Sequence, residues 1–262
     1  MNDIRANLTA PKAGGVLDDI PGGEINLLPK SALTQDVRVT FERWPNSDPS
    51  ETSPERLGLY WDGVEVNSKE FKEPLADYNL VIDLPMDKLT DGVHILKYIV
   101  DAPTSGRSES DPTTVTVDKF APSFATPNAA VLPTDLPTLE DVPTVTKAYL
   151  DANPDGVWVE VPRWSSIKPG DQVIGFLEAN EDADRNYPFE ELELTLETIN
   201  APIRLTLTKQ ILDSNNSSTR YISYQLMDRA GNRTDGYSRT TEIRIDLATR
   251  TYFPPVSVVP FV

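Results

Sequence analysis

Two stretches of the chain alternate apolar and polar residues with the same layout. Residues 94–118 read HILKYIVDAPTSGRSESDPTTVTVD, and residues 221–246 read YISYQLMDRAGNRTDGYSRTTEIRID. In each stretch an alternating run ends at an Asp, a polar turn follows, and a Thr-rich alternating run ends at a second Asp. Alternation with period two is typical of a half-buried β-strand, and two such runs around a Gly-containing turn predict a β-hairpin. The chain therefore holds two similar hairpins.

The repeat indicates equivalent positions in two tandem units. Aligning the two stretches matches Asp101 with Asp228 and Asp118 with Asp246. A lone hairpin is only marginally stable in water, so each one is expected to close a larger sheet structure. A chain of 262 residues is long enough for two ordinary domains.

Shorter strand signals precede each hairpin. In the first unit they cover residues 24–28, 36–42, 57–61, 64–66 and 79–84. In the second unit they cover residues 157–161, 172–178, 190–196 and 203–208. About seven short strands per unit, separated by turn signals and with almost no helical pattern, predict an all-β fold. The predicted architecture is two tandem antiparallel β-sandwiches.

The prolines mark the boundaries between these units. We predict a lead-in over residues 1–23, a first sandwich over 24–120, a linker over 121–144, a second sandwich over 145–248 and a tail over 249–262. The linker contains five prolines, which favours a semi-rigid extended spacer. Part of it can instead be the first edge strand of the second sandwich, because Pro is tolerated on edges. The tail resembles the start of the linker, which indicates a further repeat in a longer parent chain.

Composition narrows the classes of function. Apolar residues make up 39% of the chain, enough for packed cores, and no run approaches the length of a membrane-spanning helix. A net charge of −17 argues against binding to nucleic acid or to anionic membranes. The absence of Cys excludes disulfides and thiolate sites. Residues 1–20 lack the basic-then-apolar layout of a secretory signal, so the protein stays inside, leaves by another route or belongs to a longer chain.

An acidic stretch over residues 181–193, EDADRNYPFEELE, is the most specific candidate metal site. Oxygen ligands at alternate positions followed by a later Glu are typical of a calcium loop. The candidate ligands are Asp182, Asp184, Asn186 and Glu193. Tyr187 stands where such a loop needs Gly, and the flanks are predicted strands rather than helices, so an exposed acidic loop is the alternative. Calcium at a domain junction is a second alternative, with Asp118, Asp151 and Asp155 nearby in the chain.

Trp158 is the candidate partner-contact residue. It lies within residues 157–161, where the alternation places Val157, Val159 and Val161 inward and Trp158 outward. An outward Trp on a sheet covers a neighbouring linker or domain, or stacks on a sugar. Trp44, Trp61 and Trp164 are predicted to be core or core-edge residues.

No motif indicates catalysis. His94 is the only histidine, so the chain offers neither a multi-His metal site nor a triad, and we expect a structural or exposed role for it. No Gly-rich phosphate loop is present. With 41 acidic residues, any pair of carboxylates is uninformative about hydrolase chemistry. We therefore predict that the protein is not an enzyme.

The closing motif of the second unit resembles that of bacterial immunoglobulin-like repeats. It consists of a tyrosine-bearing strand, an Asp, a small residue, Gly231-Asn232, a Thr and the alternating run Thr-Glu-Ile-Arg-Ile-Asp. In the first unit Ser105-Gly106 replaces Gly-Asn. Such tandem repeat domains occur in large surface and adhesin-type proteins of Gram-negative bacteria. The resemblance implies two immunoglobulin-like sandwiches with a spacer or recognition role, and it supplies no catalytic residue.

The sequence thus favours a non-catalytic structural or adhesion-type repeat protein, extracellular or at the cell surface, that acts as a spacer or presents a binding surface. The alternative is a carbohydrate- or protein-binding module that uses exposed aromatic residues and acidic loops. A carboxylate-based hydrolase is the least favoured hypothesis. Calcium is the one cofactor allowed for, and the partners expected are a protein, a carbohydrate or further repeats of a longer chain.

Overall fold

The chain folds into two β-sheet units. The computed structural model describes residues 8–76, 80–103, 105–185 and 188–248. Their buried apolar side chains form two clusters, one between Leu8 and Val117 and the other between Ala130 and Ile245. Each sheet takes all its strands from one of these two regions. We call the two regions the N-terminal unit and the C-terminal unit.

The N-terminal unit contains nine strands within the described residues. They are β1 (Lys12–Ala13), β2 (Leu27–Leu28), β3 (Val37–Thr40), β4 (Glu55–Trp61), β5 (Val64–Phe71), β6 (Val81–Leu84), β7 (Gly92–Ala102), β8 (Gly106–Glu109) and β9 (Thr113–Val117). Short 3-10 helices cover Lys30–Thr34 and Met86–Lys88. One sheet has the order β1-β3-β6 and the other β2-β9-β7-β4-β5, with β8 paired to β7.

The C-terminal unit repeats this plan. Its strands are β10 (Thr138–Leu139), β11 (Val142–Thr146), β12 (Val157–Val161), β13 (Gln172–Glu178), β14 (Pro188–Glu193), β15 (Ile203–Leu207), β16 (Ser218–Met227) and β17 (Thr241–Asp246). One sheet pairs β12 with β15, and the other has the order β10-β11-β17-β16-β13-β14. The predicted all-β sandwich class is confirmed.

The pairing is antiparallel, as predicted, except at one place in each unit. β2 runs parallel to β9, with Leu28 opposite Val117, and β11 runs parallel to β17, with Val145 opposite Ile245. These four side chains are buried. Alternation reports which face a residue occupies and contains no information about strand direction, so a short edge strand cannot be oriented from its pattern.

The closing hairpins are confirmed, and they share a side-chain contact. β7 pairs antiparallel with β9, and β16 with β17. The backbone N–H of Tyr98 donates to Ser110 Oγ at 3.0 Å, and that of Tyr224 donates to Ser238 Oγ at 3.0 Å. Tyr98 and Tyr224 are therefore equivalent positions.

This equivalence corrects one part of the sequence alignment. Counting from the two tyrosines, the counterpart of Asp101 is Met227 rather than Asp228, so the predicted match was one residue out of register. A slip of one residue changes the face of the sheet, and Asp228 is accordingly buried whereas Asp101 is half-buried. The match of Asp118 with Asp246 holds. Asp118 follows Val117, which pairs with Gly92 at the start of β7, and Asp246 follows Ile245, which pairs with Ser218 at the start of β16.

Helix is confined to short connections, as the sequence predicted. α1 (Lys147–Ala152) and α2 (Lys209–Ser214) are each capped by a Thr side chain, Thr146 and Thr208, that accepts a backbone N–H of the first turn. Each helix buries one leucine, Leu150 or Leu212. Neither of them, nor any other helix in the described ranges, has the length and apolar character to cross a membrane.

Candidate functional site

The acidic loop does not gather its predicted metal ligands within the described residues. Asp182 and Asp184 are exposed, and Glu193 ends β14 opposite Gln172 of β13. Asn186 lies outside the described residues. In the ranges that the structure covers, no group of three or more His, Asp or Glu residues is placed to hold a metal ion. Calcium binding by these residues stays a prediction, which a melting curve with and without calcium would test.

Arg185 organises the acidic loop. Its guanidinium donates to the carbonyl oxygens of Glu181 at 2.7 Å and Ala183 at 2.9 Å, and to Ser223 Oγ at 3.0 Å. The same group lies 4.7 Å from the centroid of the Tyr237 ring, a cation–π contact. A side-chain cation thus binds two loop carbonyls, a contact that the alternating acid pattern did not reveal.

The predicted alternation around Trp158 is confirmed. Val157, Val159 and Val161 are at most 1% exposed, and Trp158 is half-buried on the opposite face. The Arg204 guanidinium of the paired strand covers its ring at 4.3 Å. Whether Trp158 contacts a partner stays a prediction.

Val131, within residues 121–144, forms an isolated antiparallel bridge with the strand that carries Trp158. Val131 exchanges backbone hydrogen bonds with Glu160 of β12, both at 2.8 Å. In the N-terminal unit Lys12 of β1 is paired with Thr40 of β3 in the corresponding way. This isolated bridge lies within residues 121–144, where the sequence allowed an edge strand.

His94 has a structural role in this fold. It is 5% exposed and stacks on Trp61 with the ring centroids 4.5 Å apart. Its Nδ1 lies 2.7 Å from Asp62 Oδ2, and its Nε2 lies 2.8 Å from the carbonyl oxygen of Thr90. Both ring nitrogens are thus engaged in fixing two turns, which matches the structural role expected from the sequence.

The contact region between the two units, which we call the junction, is held by charged side chains. Lys168 Nζ lies 2.7 Å from Glu24 Oε1 and 3.2 Å from Asp118 Oδ2. Arg229 donates to the carbonyl oxygen of Glu24 at 2.8 Å and to that of Asp18. Two cations of the C-terminal unit thus bind the lead-in and the end of the N-terminal unit.

Backbone groups join the same junction. The Lys30 N–H donates to the carbonyl oxygen of Ala230 at 2.7 Å. Asn232 Nδ2 donates to the carbonyl oxygen of Asp118 at 3.0 Å and to Asp228 Oδ2 at 2.8 Å. Because hydrogen bonds are directional, these contacts fix orientation as well as proximity. The turn over residues 228–232 is therefore the main point of contact.

Buried carboxylates give the junction its electrostatic character. Asp171 is 1% exposed, and its Oδ2 accepts the Lys168 N–H at 2.9 Å. Burial raises the pKa of Asp171 to about 6, and burial also raises the pKa of Asp228. Together with Asp118 and Lys168 they line a cavity of about 160 Å³, smaller than the roughly 300 Å³ at which ligand pockets begin. The arrangement suits ion pairing between the units better than binding of a sugar substrate.

A larger concave surface lies over β4, β7 and β8 of the N-terminal unit, and we call it the outer-sheet face. It has a volume of about 610 Å³. Its lining residues are Tyr60, Asp62, Gly63, Ile95, Lys97, Ile99, Arg107 and Glu109. Tyr60 donates its hydroxyl to Glu65 Oε2 at 3.0 Å, which holds the ring against the sheet. An aromatic ring among charged side chains of both signs can bind polar ligands.

Of the junction residues, sequence reasoning named only Asp118 as a candidate for calcium at a domain junction. The carboxylate partner of Lys168, Glu24, lies 144 positions earlier in the chain. Contacts between two separately folded sheets depend on how those sheets meet, which no local pattern encodes.

Comparisons with known proteins find similarity in structure only. No protein-family model matches the chain, and no curated protein matches it in sequence. Solved structures that match include a segment of a 1.5-MDa bacterial ice-binding adhesin, studied for host cell surface retention, with 13% identity over 93% of this chain and 67% of that one and a TM-score of 0.43. The fibronectin(III)-like modules of Clostridium thermocellum CbhA match with 12% identity over 93% of this chain and 98% of theirs, with a TM-score of 0.41.

A third match is a Ca2+-stabilised adhesin with which an Antarctic bacterium binds ice. It has 15% identity, a TM-score of 0.40 and coverage of 94% of this chain, and the match spans about half of the adhesin chain, 51%. Two of these matches are bacterial adhesins, the class of protein whose immunoglobulin-like repeats the closing motif resembles. At TM-scores below 0.5 this likeness carries no argument about function, which rests on the geometry of this chain.

Proposed function

We propose that the protein is a non-catalytic segment of an adhesion-type protein at the cell surface or outside the cell. Its two units act in series as a spacer that holds or presents a binding surface. The observation that supports this is the junction, where Lys168, Arg229 and Asn232 of one unit bind side-chain and backbone oxygens of the other. A direct contact of this kind fixes the distance and the orientation between the units, which a flexible linker does not.

Small-angle X-ray scattering of the full chain tests the proposal. We expect an elongated particle with one preferred arrangement of the units. The double variant Lys168→Met with Arg229→Ala should broaden the distance distribution, because both cations of the junction are lost. Lys209→Met, on α2 far along the chain from the junction, is the matched control and should leave the profile unchanged. A compact profile for the unmodified chain would contradict the spacer role.

The outer-sheet face supports a second candidate function, a binding module for a carbohydrate or a protein. Tyr60 presents a ring beside Lys97, Arg107 and Glu109, a combination that can stack on a sugar ring and bind its hydroxyls. Binding to a glycan array or capture of a protein partner should be lost in Tyr60→Ala. Tyr221→Ala, a half-buried tyrosine of the other unit, is the control. Equal binding by both variants would argue against this face.

A further inference from the structure

A cleft of about 600 Å³ lies at the end of the C-terminal unit where the chain leaves β17. We call it the C-terminal cleft. Its lining residues are Pro137, Thr138, Leu139, Thr144, Thr146, Lys147, Ala148, Asp151, Asp246 and Ala248. Lys147 and Asp151 form an ion pair at 2.7 Å, and most of the other lining residues are apolar or neutral. Four segments thus converge on one concave surface.

The parallel ladders show what this surface corresponds to in the N-terminal unit. Val145 pairs with Ile245 as Leu28 pairs with Val117. Counting two residues onward from Leu28 and from Val145 makes Lys30 the counterpart of Lys147. By the same ladders Asp118 is the counterpart of Asp246.

The segment before each parallel strand is also equivalent. The Leu17 N–H donates to the carbonyl oxygen of Leu27 at 2.8 Å, and the Thr144 N–H donates to that of Pro137 at 2.7 Å. In both units a residue upstream of the parallel strand, Leu17 or Pro137, is thus hydrogen-bonded to a residue of that strand. Residues 17–26 of the N-terminal unit and residues 137–143 of the C-terminal unit thus each include a residue hydrogen-bonded to the parallel strand of their own unit.

In the N-terminal unit each of these positions contacts the C-terminal unit. Lys30 binds Ala230, and Asp118 binds Asn232 and Lys168. The segment over residues 17–26 accepts Arg229 at the carbonyl oxygens of Asp18 and Glu24. The C-terminal cleft is therefore the repeat-equivalent of a surface that this chain already uses for docking.

We propose that the C-terminal cleft is the docking surface for a further β-sandwich of the same kind as the C-terminal unit. That domain would present its own version of the 228–232 turn, with the arginine donating to carbonyl oxygens before β11 and the asparagine donating near Asp246. The resulting interface is head-to-tail, and repeated interfaces of this type extend an open array when the rotation between neighbouring units does not close a ring. The inference rests on the proposed spacer function and names the partner and the surface through which the series continues.

An extended chain tests the inference directly. Residues 1–248 are followed by a second copy of residues 121–262, so that Ala248 joins the copy as Phe120 joins residue 121 in the protein itself. Because the chain contains no Cys, engineered cysteines are unique. Lys147→Cys is combined with Arg233→Cys in the appended copy, and reaction with a short bismaleimide is followed. Lys30→Cys with Arg233→Cys in the unextended chain is the positive control, and Lys209→Cys with the appended Arg233→Cys is the negative control.

We expect the Lys147→Cys pair to cross-link as fast as the positive control and about tenfold or more faster than the Lys209→Cys pair. A rate no higher than that of the Lys209→Cys pair would overturn the inference. Cross-linking between two separate unextended chains, one with Lys147→Cys and one with Arg233→Cys, at the same rate would overturn it in favour of a second copy as occupant.

Hydrogen exchange over residues 137–148 gives a second readout without cysteines. Exchange should be slower in the extended chain than in the unextended one. Equal exchange would count against docking, and faster exchange after removal of residues 249–262 from the unextended chain would assign the cleft to those residues instead. A chain that scatters as an elongated particle but fails these tests would lose this inference while keeping the proposed function.

Discussion

The two units place a buried acid at the same position and use it differently. Leu57 pairs with Val100 as Val173 pairs with Leu226, which makes Glu55 the counterpart of Asp171. Each of these acids is 1% exposed. Glu55 belongs to the core of its own unit, whereas Asp171 lies at the junction with the other unit.

The contacts explain the difference. Glu55 Oε2 accepts the Trp44 indole N–H at 2.6 Å and the Ser47 hydroxyl at 3.0 Å, and its Oε1 accepts the Asp48 N–H at 3.0 Å. Trp164 occupies the place of Trp44, and among the described residues its indole N–H is buried without an acceptor. The side chain of Asp171 is one methylene shorter than that of Glu55. In the C-terminal unit the indole N–H of Trp164 has no acceptor among the described residues, and the Asp171 carboxylate instead accepts the backbone N–H of Lys168.

The largest effect is expected from removing the longer acid. Glu55→Ala should lower the free energy of unfolding of the N-terminal unit by about 4 kcal/mol, because one buried donor and two part-buried donors lose a charged acceptor. Denaturant titration with hydrogen exchange to locate the unit is the measurement. Glu51→Ala, an exposed acid in the same loop, is the control and should change stability by less than about 0.5 kcal/mol. A similarly small effect of Glu55→Ala would show that the Trp44 contact is not stabilising.

The contribution of Asp171, the shorter acid, to stability is expected to depend on pH. The pKa of Asp171 is raised to about 6 by burial, so the folded chain holds its proton more tightly than the unfolded chain. Its contribution to stability is complete below about pH 4, the usual pKa, and is lost as the pH rises through about 6. The loss is at most about 3 kcal/mol.

Asp171→Asn should remove this part of the pH dependence, because an amide does not ionise. Asp228, Lys168 and Glu24 face the same site and remain in the variant. Melting temperatures between pH 4 and 7 are the measurement, and the exposed Asp182→Asn is the control that should keep the full slope. If the melting temperature of Asp171→Asn depended on pH as steeply as that of the unmodified chain, the pH dependence would come from a group other than Asp171.

The shared hairpin contact should make the two units behave alike. Ser110→Ala and Ser238→Ala each leave a buried tyrosine N–H without its Oγ acceptor, at a cost of about 1–2 kcal/mol. The two losses should agree within about 0.5 kcal/mol. Stability of each unit by denaturant titration checks this, and a clear inequality would show that the two hairpins are not energetically equivalent.

The smallest effect is expected at a position where the units differ on their outer faces. Arg204 stacks on Trp158, while Arg38 stands in the place of that tryptophan in the N-terminal unit. Arg204→Ala should cost about 0.5–1 kcal/mol through loss of the cation–π contact, and Arg204→Lys should restore part of it. No change in stability with Arg204→Ala would mean that water replaces the contact without loss.

Period-two alternation predicted the strands well because each strand has one buried face. It placed Val157, Val159 and Val161 correctly, and it found both closing hairpins. It misjudged the register of Asp228 by one residue. The counterpart of Asp228 in the N-terminal unit is the buried Ala102, whereas matching by residue type selected the neighbouring Asp101. The junction could not be predicted, because Lys168 and Glu24 belong to different units and their meeting depends on the packing of whole sheets.

The parallel ladders have a mechanical consequence. In each unit an early strand of the larger sheet, β2 or β11, lies beside the last strand, β9 or β17, and the two point the same way. Tension on the chain ends must then break the hydrogen bonds of that ladder together, in shear, rather than one after another. The ladder comprises two residue pairs in the N-terminal unit and three in the C-terminal unit, so a stretched molecule would yield first at its N-terminal half.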